Sequence, residues 1–247
     1  MFNFFVEAEN SGDRCYYIPN PDRNHIVNVL RMIKGDKFLV SFNGKSDLCV
    51  LTEISEESVK AEIIEENYND TELPVKLYLY QGLPKSDKME LIIQKAVELG
   101  AFAVIPTEMR NCVVKLEEKK KKSKIARWQA ISEAAAKQSK RNIIPEVRNV
   151  TTFKDVMKQA EELDLFIVPY ENKNGMKATK DVLSSIKKGM SVGILIGPEG
   201  GFDEAEIAEA LACGCKTISL GRRILRTETA AITALGMCML NIEIEEN

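Results

Sequence analysis

Five short apolar runs, at 75–80, 102–105, 165–168, 192–196 and 217–220, alternate with helix-competent stretches, and this alternation limits the possible fold more than any other feature of the chain. Strands of that kind, each followed by a crossover helix, build a parallel α/β sheet. The first crossover shows its period plainly: Met89, Ile92, Ile93, Ala96 and Val97 share one face, with Ser86 placed to cap the helix and Gly100 to end it. Residues 1–72 read differently. Runs at 2–6, 37–42, 47–54 and 59–64 are separated by turn signals that include Asn43-Gly44, with one helix near 22–32, so a small antiparallel barrel is the economical expectation. The polar stretch 67–74 reads as a linker, which divides the chain into domains 1–72 and 73–247.

His25 is the only histidine, so Ser-His and Cys-His nucleophile systems and histidine-based zinc sites have too little to build on. No metal site is expected. The six cysteines form no CxxC pair, and MFNFFVEAEN lacks the basic region and cleavage site of a secretory signal, which points to a cytoplasmic protein with reduced thiols. The apolar stretch 230–240 falls short of the roughly 18 to 20 residues that a membrane span requires, and reads as a core helix. A net charge of −3 conceals an asymmetry. Residues 1–72 carry 7 basic against 14 acidic side chains, whereas 85–148 carry 15 against 8 and form the natural footprint for a phosphate backbone.

Two strand ends carry the chemistry. The run 194–196 passes directly into Gly197-Pro198-Glu199-Gly200-Gly201-Phe202, and Asp203 then opens an acidic stretch suited to a helix. Glycines at a strand's carboxyl end let a ligand approach bare main chain. The pattern is not GxGxxG, and Pro198 disrupts a dinucleotide turn, which argues against nicotinamide or flavin. The same loop could also be a tight structural turn. A second strand, 216–220, leads into Gly221-Arg222-Arg223-Ile224-Leu225-Arg226-Thr227-Glu228-Thr229-Ala230 and an apolar helix. Guanidinium forks suit phosphate or a developing oxyanion, while Glu228 is either a functional carboxylate or a plain N-terminal helix charge. The lysine run 119–124 is either a solvated helix face or an electrostatic footprint, and His25 is either a packing residue or a contact residue.

Taken together these residues resemble the RsmE family of 16S ribosomal RNA uridine N3-methyltransferases, of the SPOUT class. GPEGGF at 197–202 and LGRRILRTETA at 220–230 are similar to its two cofactor-loop signatures, in their order and spacing. His25 with 29–31 and 35–36, 94–100, Pro106 with Arg110, and 127–141 add to the likeness. Two positions depart from it: Lys137 stands where an acidic residue is usual, and Asn3 where an arginine is common. The resemblance implies a PUA-like RNA-binding β-barrel followed by a trefoil-knotted α/β methyltransferase domain, assembled as a homodimer with active sites near its interface. S-adenosyl-L-methionine is the implied cofactor, with 16S rRNA or the small ribosomal subunit as partner.

The cofactor is then expected against Pro169, Tyr170, Leu195, Ile196, Gly197, Pro198, Glu199, Gly200, Gly201, Leu220, Gly221, Ile224, Leu225 and Thr229. Uracil N3 becomes a nucleophile once its proton leaves, so the reaction asks for a charge-stabilising donor, Arg226 or Arg141, and a proton acceptor, Glu228 or Glu199. RNA contacts are expected from Arg14, Arg23, His25, Arg31, Lys85, Lys95, Arg110, Gln138 and Arg223.

Overall fold

The computed structural model describes residues 1–170 and 175–246, which form two compact units. Unit 1 takes Met1–Glu72 together with Ala136–Ile144, and unit 2 takes Leu73–Ala135 together with Pro145–Asn247. A single cut after residue 72 does not anticipate the return of 136–144. A long-range tie accompanies it: Arg141, buried, pairs with Glu72 through Nε at 2.9 and 3.0 Å and through a second nitrogen, and Glu72 also accepts the Asn142 amide at 2.8 Å.

Unit 1 contains β1 (Asn3–Phe5), β2 (Ser11–Gly12), β3 (Cys15–Pro19), α1 (Asp22–Asn24), β4 (Lys37–Phe42), β5 (Lys45–Ile54) and β6 (Ser58–Glu65). They form one sheet in the order β1-β4-β5-β6-β3-β2, over a core that includes Phe4, Ile18, Ile26, Phe38 and Leu51. Two expectations are corrected here. The sheet is not wholly antiparallel, because β1 runs parallel to β4. The helix near 22–32 is only the single turn α1, followed by a π turn over His25–Val29 that buries Ile26 alone. The Asn43-Gly44 signal does mark the β4–β5 hairpin, with φ of 49° and 76°, the left-handed pair that a tight twisted turn requires. Both departures from the family pattern find partners in this unit. Asn3 is buried, donating to the Arg141 carbonyl at 2.9 Å and accepting from Ser41 at 3.0 Å, and Lys137 pairs with Asp22 at 2.9 Å.

Unit 2 follows the sequence closely, with β7 (Lys76–Gly82), α2 (Lys88–Glu98), β8 (Ala101–Glu108), α3 (Glu118–Ser139), β9 (Glu146–Val147) and β10 (Thr151–Thr152). It continues through α4 (Phe153–Ala160), β11 (Leu165–Pro169), α5 (Gly175–Ser184), β12 (Ser191–Ile196), α6 (Glu204–Ala212), β13 (Lys216–Ile218) and α7 (Thr227–Glu246). The last turn of α3 is counted with unit 1. All the ladders of the main sheet, β10-β8-β7-β12-β11-β13, are parallel. Its central strands are apolar on both faces, so Leu77, Leu79, Val192, Ile194 and Ile167 are fully buried. The five apolar positions read on α2 are all buried, but its N-cap is Asp87 rather than Ser86, whose φ of 56° is foreign to a cap. The 230–240 stretch lies within α7, which buries Ala231, Ala234, Leu235 and Cys238 in the core. Among the described residues no helix is long and apolar enough to cross a membrane, all six cysteines are free, and no cluster of metal-ligating side chains occurs.

Candidate active site in the second unit

Because β11 pairs with both β12 and β13, the carboxyl ends of these three strands lie side by side, and β7 flanks β12 on its other edge. The loops that leave those ends enclose a cavity of about 650 Å³, a size ordinary for a cofactor site. One wall is the loop 197–202, turned by the Gly201 amide donating to the Pro198 carbonyl at 2.9 Å. Asp203 then caps α6 in a reciprocal box: its carboxylate accepts the Ala205 amide at 2.9 Å, and Glu206 accepts the Asp203 amide at 3.1 Å. The loop lies close against the end of β7. A Cβ on Gly82 would sit 2.7 Å from the Pro198 nitrogen, which makes a bare backbone there a packing requirement.

The opposite wall is the segment 219–226. Gly221, with φ of 104°, takes a turn that side chains rarely tolerate, and the Ser219 amide donates to Thr179 Oγ1 at 2.8 Å. The two walls are tied together at the start of α7. Thr227 donates to the Gly197 carbonyl at 2.7 Å and accepts from Nε2 of the fully buried Gln81 at 2.8 Å. Tyr170, at the end of β11, meets Phe202 edge to face with ring centres 6.3 Å apart.

Of the expected cofactor residues, Pro169, Tyr170, Ile196, Gly197, Pro198, Glu199 and Gly201 line the cavity from one side, and Leu220, Gly221, Ile224 and Leu225 from the other. Three do not. Leu195 is fully buried within β12, Gly200 packs against Asn111, and Thr229 points outward from α7. Arg223 and Arg226 line the cavity together with Arg222; all three are exposed, and none has an ion pair or side-chain hydrogen bond among the described residues.

The carboxylates are arranged unequally. Glu199 lines the cavity, whereas Glu228 does not. Lys88, at the first position of α2, reaches both, its Nζ lying 3.0 Å from Glu199 Oε1 and 3.3 Å from Glu228 Oε2. Glu199 Oε1 also accepts the Lys85 amide at 3.0 Å. Partial burial pulls the Glu199 carboxyl upward, yet Lys88 and the neighbouring amides outweigh it and leave the group below its ordinary range. The Glu199 contact, opposed by desolvation and helped by Glu228, in turn raises the pKa of Lys88.

The remaining expected residues are scattered. Arg141 belongs to unit 1, where its guanidinium is committed to Glu72. Arg14 is exposed and pairs with Glu66 at 3.4 Å, and Arg31 is exposed with φ of 53°. Arg23 is only partly exposed and donates to the Ser55 carbonyl at 2.8 Å. His25 is exposed, with Phe4 edge-on at 6.5 Å, and Gln138 is exposed near the end of α3. In unit 2, Lys85 is exposed, Lys95 pairs with Glu98 at 2.8 Å, and Arg110 pairs with Asp203 at 3.1 Å. Sequence reasoning missed Lys88, Gln81 and Asn111. Gln81 alone leaves a trace, as a polar side chain closing an apolar strand run.

A parallel sheet whose adjacent strand ends carry a glycine loop, an arginine loop and a cavity of this size is built to hold a small ligand at its strand ends, and the family models place it among the RNA methyltransferases. An RNA methyltransferase domain matches residues 71–239, and an RNA methyltransferase PUA domain matches residues 18–64. The chain is 42% identical over 251 aligned residues to the ribosomal RNA small subunit methyltransferase E of Bacillus subtilis, covering 99% of this chain and 98% of that one. The enzyme of the same name from Mesomycoplasma hyopneumoniae is 35% identical, with coverage of 97% and 99%. A crystal structure of the Neisseria gonorrhoeae protein of that name, bound to S-adenosyl methionine, superposes with a TM-score of 0.79 at 29% identity over 95% of each chain. The chain belongs to the ribosomal RNA small subunit methyltransferase E family.

Proposed function

We propose that the protein transfers the methyl group of S-adenosyl-L-methionine to N3 of one uridine in the 16S rRNA of the small ribosomal subunit. The single observation that carries this reading is the strand-end cavity, walled by loops 197–202 and 219–226 that are tied together at Thr227. Its residues fit that cofactor. The backbone of Ile196–Gly197 and Leu220–Gly221 offers hydrogen-bonding groups to adenine and ribose, and Pro198, Leu225, Tyr170 and Phe202 offer apolar surface. When bound, the cofactor supplies an electrophilic methyl on a sulfonium sulfur, which keeps the electrons of the broken bond and leaves as a neutral thioether.

The protein's own groups do the remainder. Arg226, on the cavity wall and without an ion pair among the described residues, stabilises the negative charge that develops on the uracil as N3 loses its proton. Glu199, ionised and on the opposite wall, accepts that proton, a part that Glu228 is less well placed to take. Arg141 serves as a structural tie of unit 1. Domain 1–72 is a PUA-like barrel that grips RNA through Arg14, Arg31 and His25, and domain 73–247 carries the trefoil knot and adds Lys85, Arg110 and Arg223. Bases in structured RNA must be extruded to be methylated, at a cost of a few kcal/mol, which a separate gripping domain offsets. The protein works in the cytoplasm as a homodimer.

The test is incubation of small subunits lacking the modification with labelled cofactor and this protein, followed by nucleoside mapping. One labelled N3-methyluridine in 16S rRNA is expected. Label on a ribose 2′-oxygen, or binding of RNA with no transfer, would replace this reading with a different RNA methyltransferase or a non-catalytic assembly protein.

A further inference from the structure

The first turn of α2 has no part in either cofactor loop, yet Lys88 there reaches one carboxylate on the 197–202 loop and another in the first turn of α7, just after the second loop. We propose that Lys88 is a positioning residue of the transfer site, whose ammonium clamps Glu199 on the 197–202 loop to Glu228 at the start of α7 and so fixes the carboxylate that faces the substrate. The proposal rests on the methyltransferase reading given above.

Three observations carry it. Lys88 lines the cavity and its side chain is 29% exposed, so the ammonium stands at the wall rather than in open solvent. Both partners are more enclosed, at 24% and 15%, and Glu228 Oε2, 3.3 Å from the ammonium, is buried with no hydrogen-bond partner among the described residues, which leaves Lys88 as the cation that faces it. The clamp also joins segments already tied by the Thr227 hydrogen bond, and a second fastening restrains the Glu199 side chain where the first restrains only backbone. The charged groups near Glu199 are Lys88, Glu228 behind it, and Arg222, Arg223 and Arg226 around the same cavity, with the amides of Lys85 and of Glu199 itself as neutral donors.

Loss of the ammonium has a signed consequence. Without it the Glu199 carboxyl titrates at higher pH, so the acid limb of kcat/KM moves upward, and kcat falls more than KM for the cofactor because the carboxylate is misplaced rather than the pocket destroyed. Loss of Glu228 gives the opposite sign. Lys88 then serves one carboxylate, Glu199 titrates lower, and the acid limb moves down or stays in place.

The experiment compares the full-length Lys88→Met, Lys88→Arg and Glu228→Gln variants with wild type in two measurements. The first is carbon-13 NMR titration of the labelled Glu199 side chain in protein without cofactor, and the second is the pH profile of methyl transfer to undermodified small subunits. The expected result is an upward Glu199 midpoint and at least about a tenfold loss of kcat in Lys88→Met, recovery in Lys88→Arg, and no upward shift in Glu228→Gln. An unmoved Glu199 midpoint in Lys88→Met overturns the proposal whatever the substrate. If Lys88→Met does not fold, an upward Glu199 midpoint in Glu228→Gln overturns it equally, and a downward or unmoved one upholds it. Failure of the wild type to methylate RNA, with the NMR shifts as expected, removes the substrate reading and leaves the clamp standing.

Discussion

At the scale of single residues, the cavity wall separates groups that hold from groups that act. Arg226 has no ion pair among the described residues and faces the cavity, so Arg226→Ala removes a charge donor without leaving a buried partner exposed. The expected outcome is a loss of about 10²-fold in kcat with the unfolding midpoint unchanged, read by single-turnover methyl transfer alongside thermal melting. Glu199 carries a pH signature. Its folded pKa lies below the unfolded value, so its contribution to stability is present above the unfolded pKa and disappears as pH falls through the folded one. Glu199→Gln should flatten that acid-side loss in a denaturation series across pH 3 to 6, and an unaltered slope would show that the carboxylate has no stabilising partner.

At the scale of elements, the site depends on how closely β7 approaches the 197–202 loop. Gly82→Ala places a methyl 2.7 Å from the Pro198 nitrogen, backbone that has nowhere to retreat, and a loss of about 1 to 3 kcal/mol is expected in urea denaturation, together with weaker cofactor binding. Thr227→Val strips the Gly197 carbonyl of its donor, at a similar cost of roughly 1 to 3 kcal/mol. The sequence makes these elements legible but not their fastening. Apolar runs between helical stretches announce β7, β8, β11, β12 and β13, and the glycine and arginine clusters mark the two strand ends, because period and punctuation are local properties. Lys88 is not legible in this way, and Gln81 shows only as a polar residue closing an apolar run, with no sign of its partner. Each meets its partner across more than a hundred residues, and nothing within α2 or β7 names that partner. The π turn at 25–29 escapes as well, since a stretch read only as helical does not show which hydrogen-bond register its backbone takes.

At the scale of the whole molecule, the charge distribution and the two-unit division frame the RNA reading. An excess of acid in 1–72 and of base in 85–148 means that affinity for rRNA must come from a limited set of cations rather than from net charge. Binding should fall steeply with salt, by about a thousandfold between 50 and 200 mM if some six phosphates are neutralised; a flat dependence would argue for contacts of another kind. The return of 136–144 to unit 1 through Arg141 and Glu72 is the feature that no local pattern announces, since the chain leaves that unit and comes back more than sixty residues later. The account as a whole is tested most directly by a crystal structure of the protein grown with S-adenosyl-L-methionine. Density for the cofactor between the 197–202 loop and 219–226, with its adenine against the main chain of Leu220–Gly221, is the expected result; a cofactor bound elsewhere, or none at saturating concentration, would contradict it.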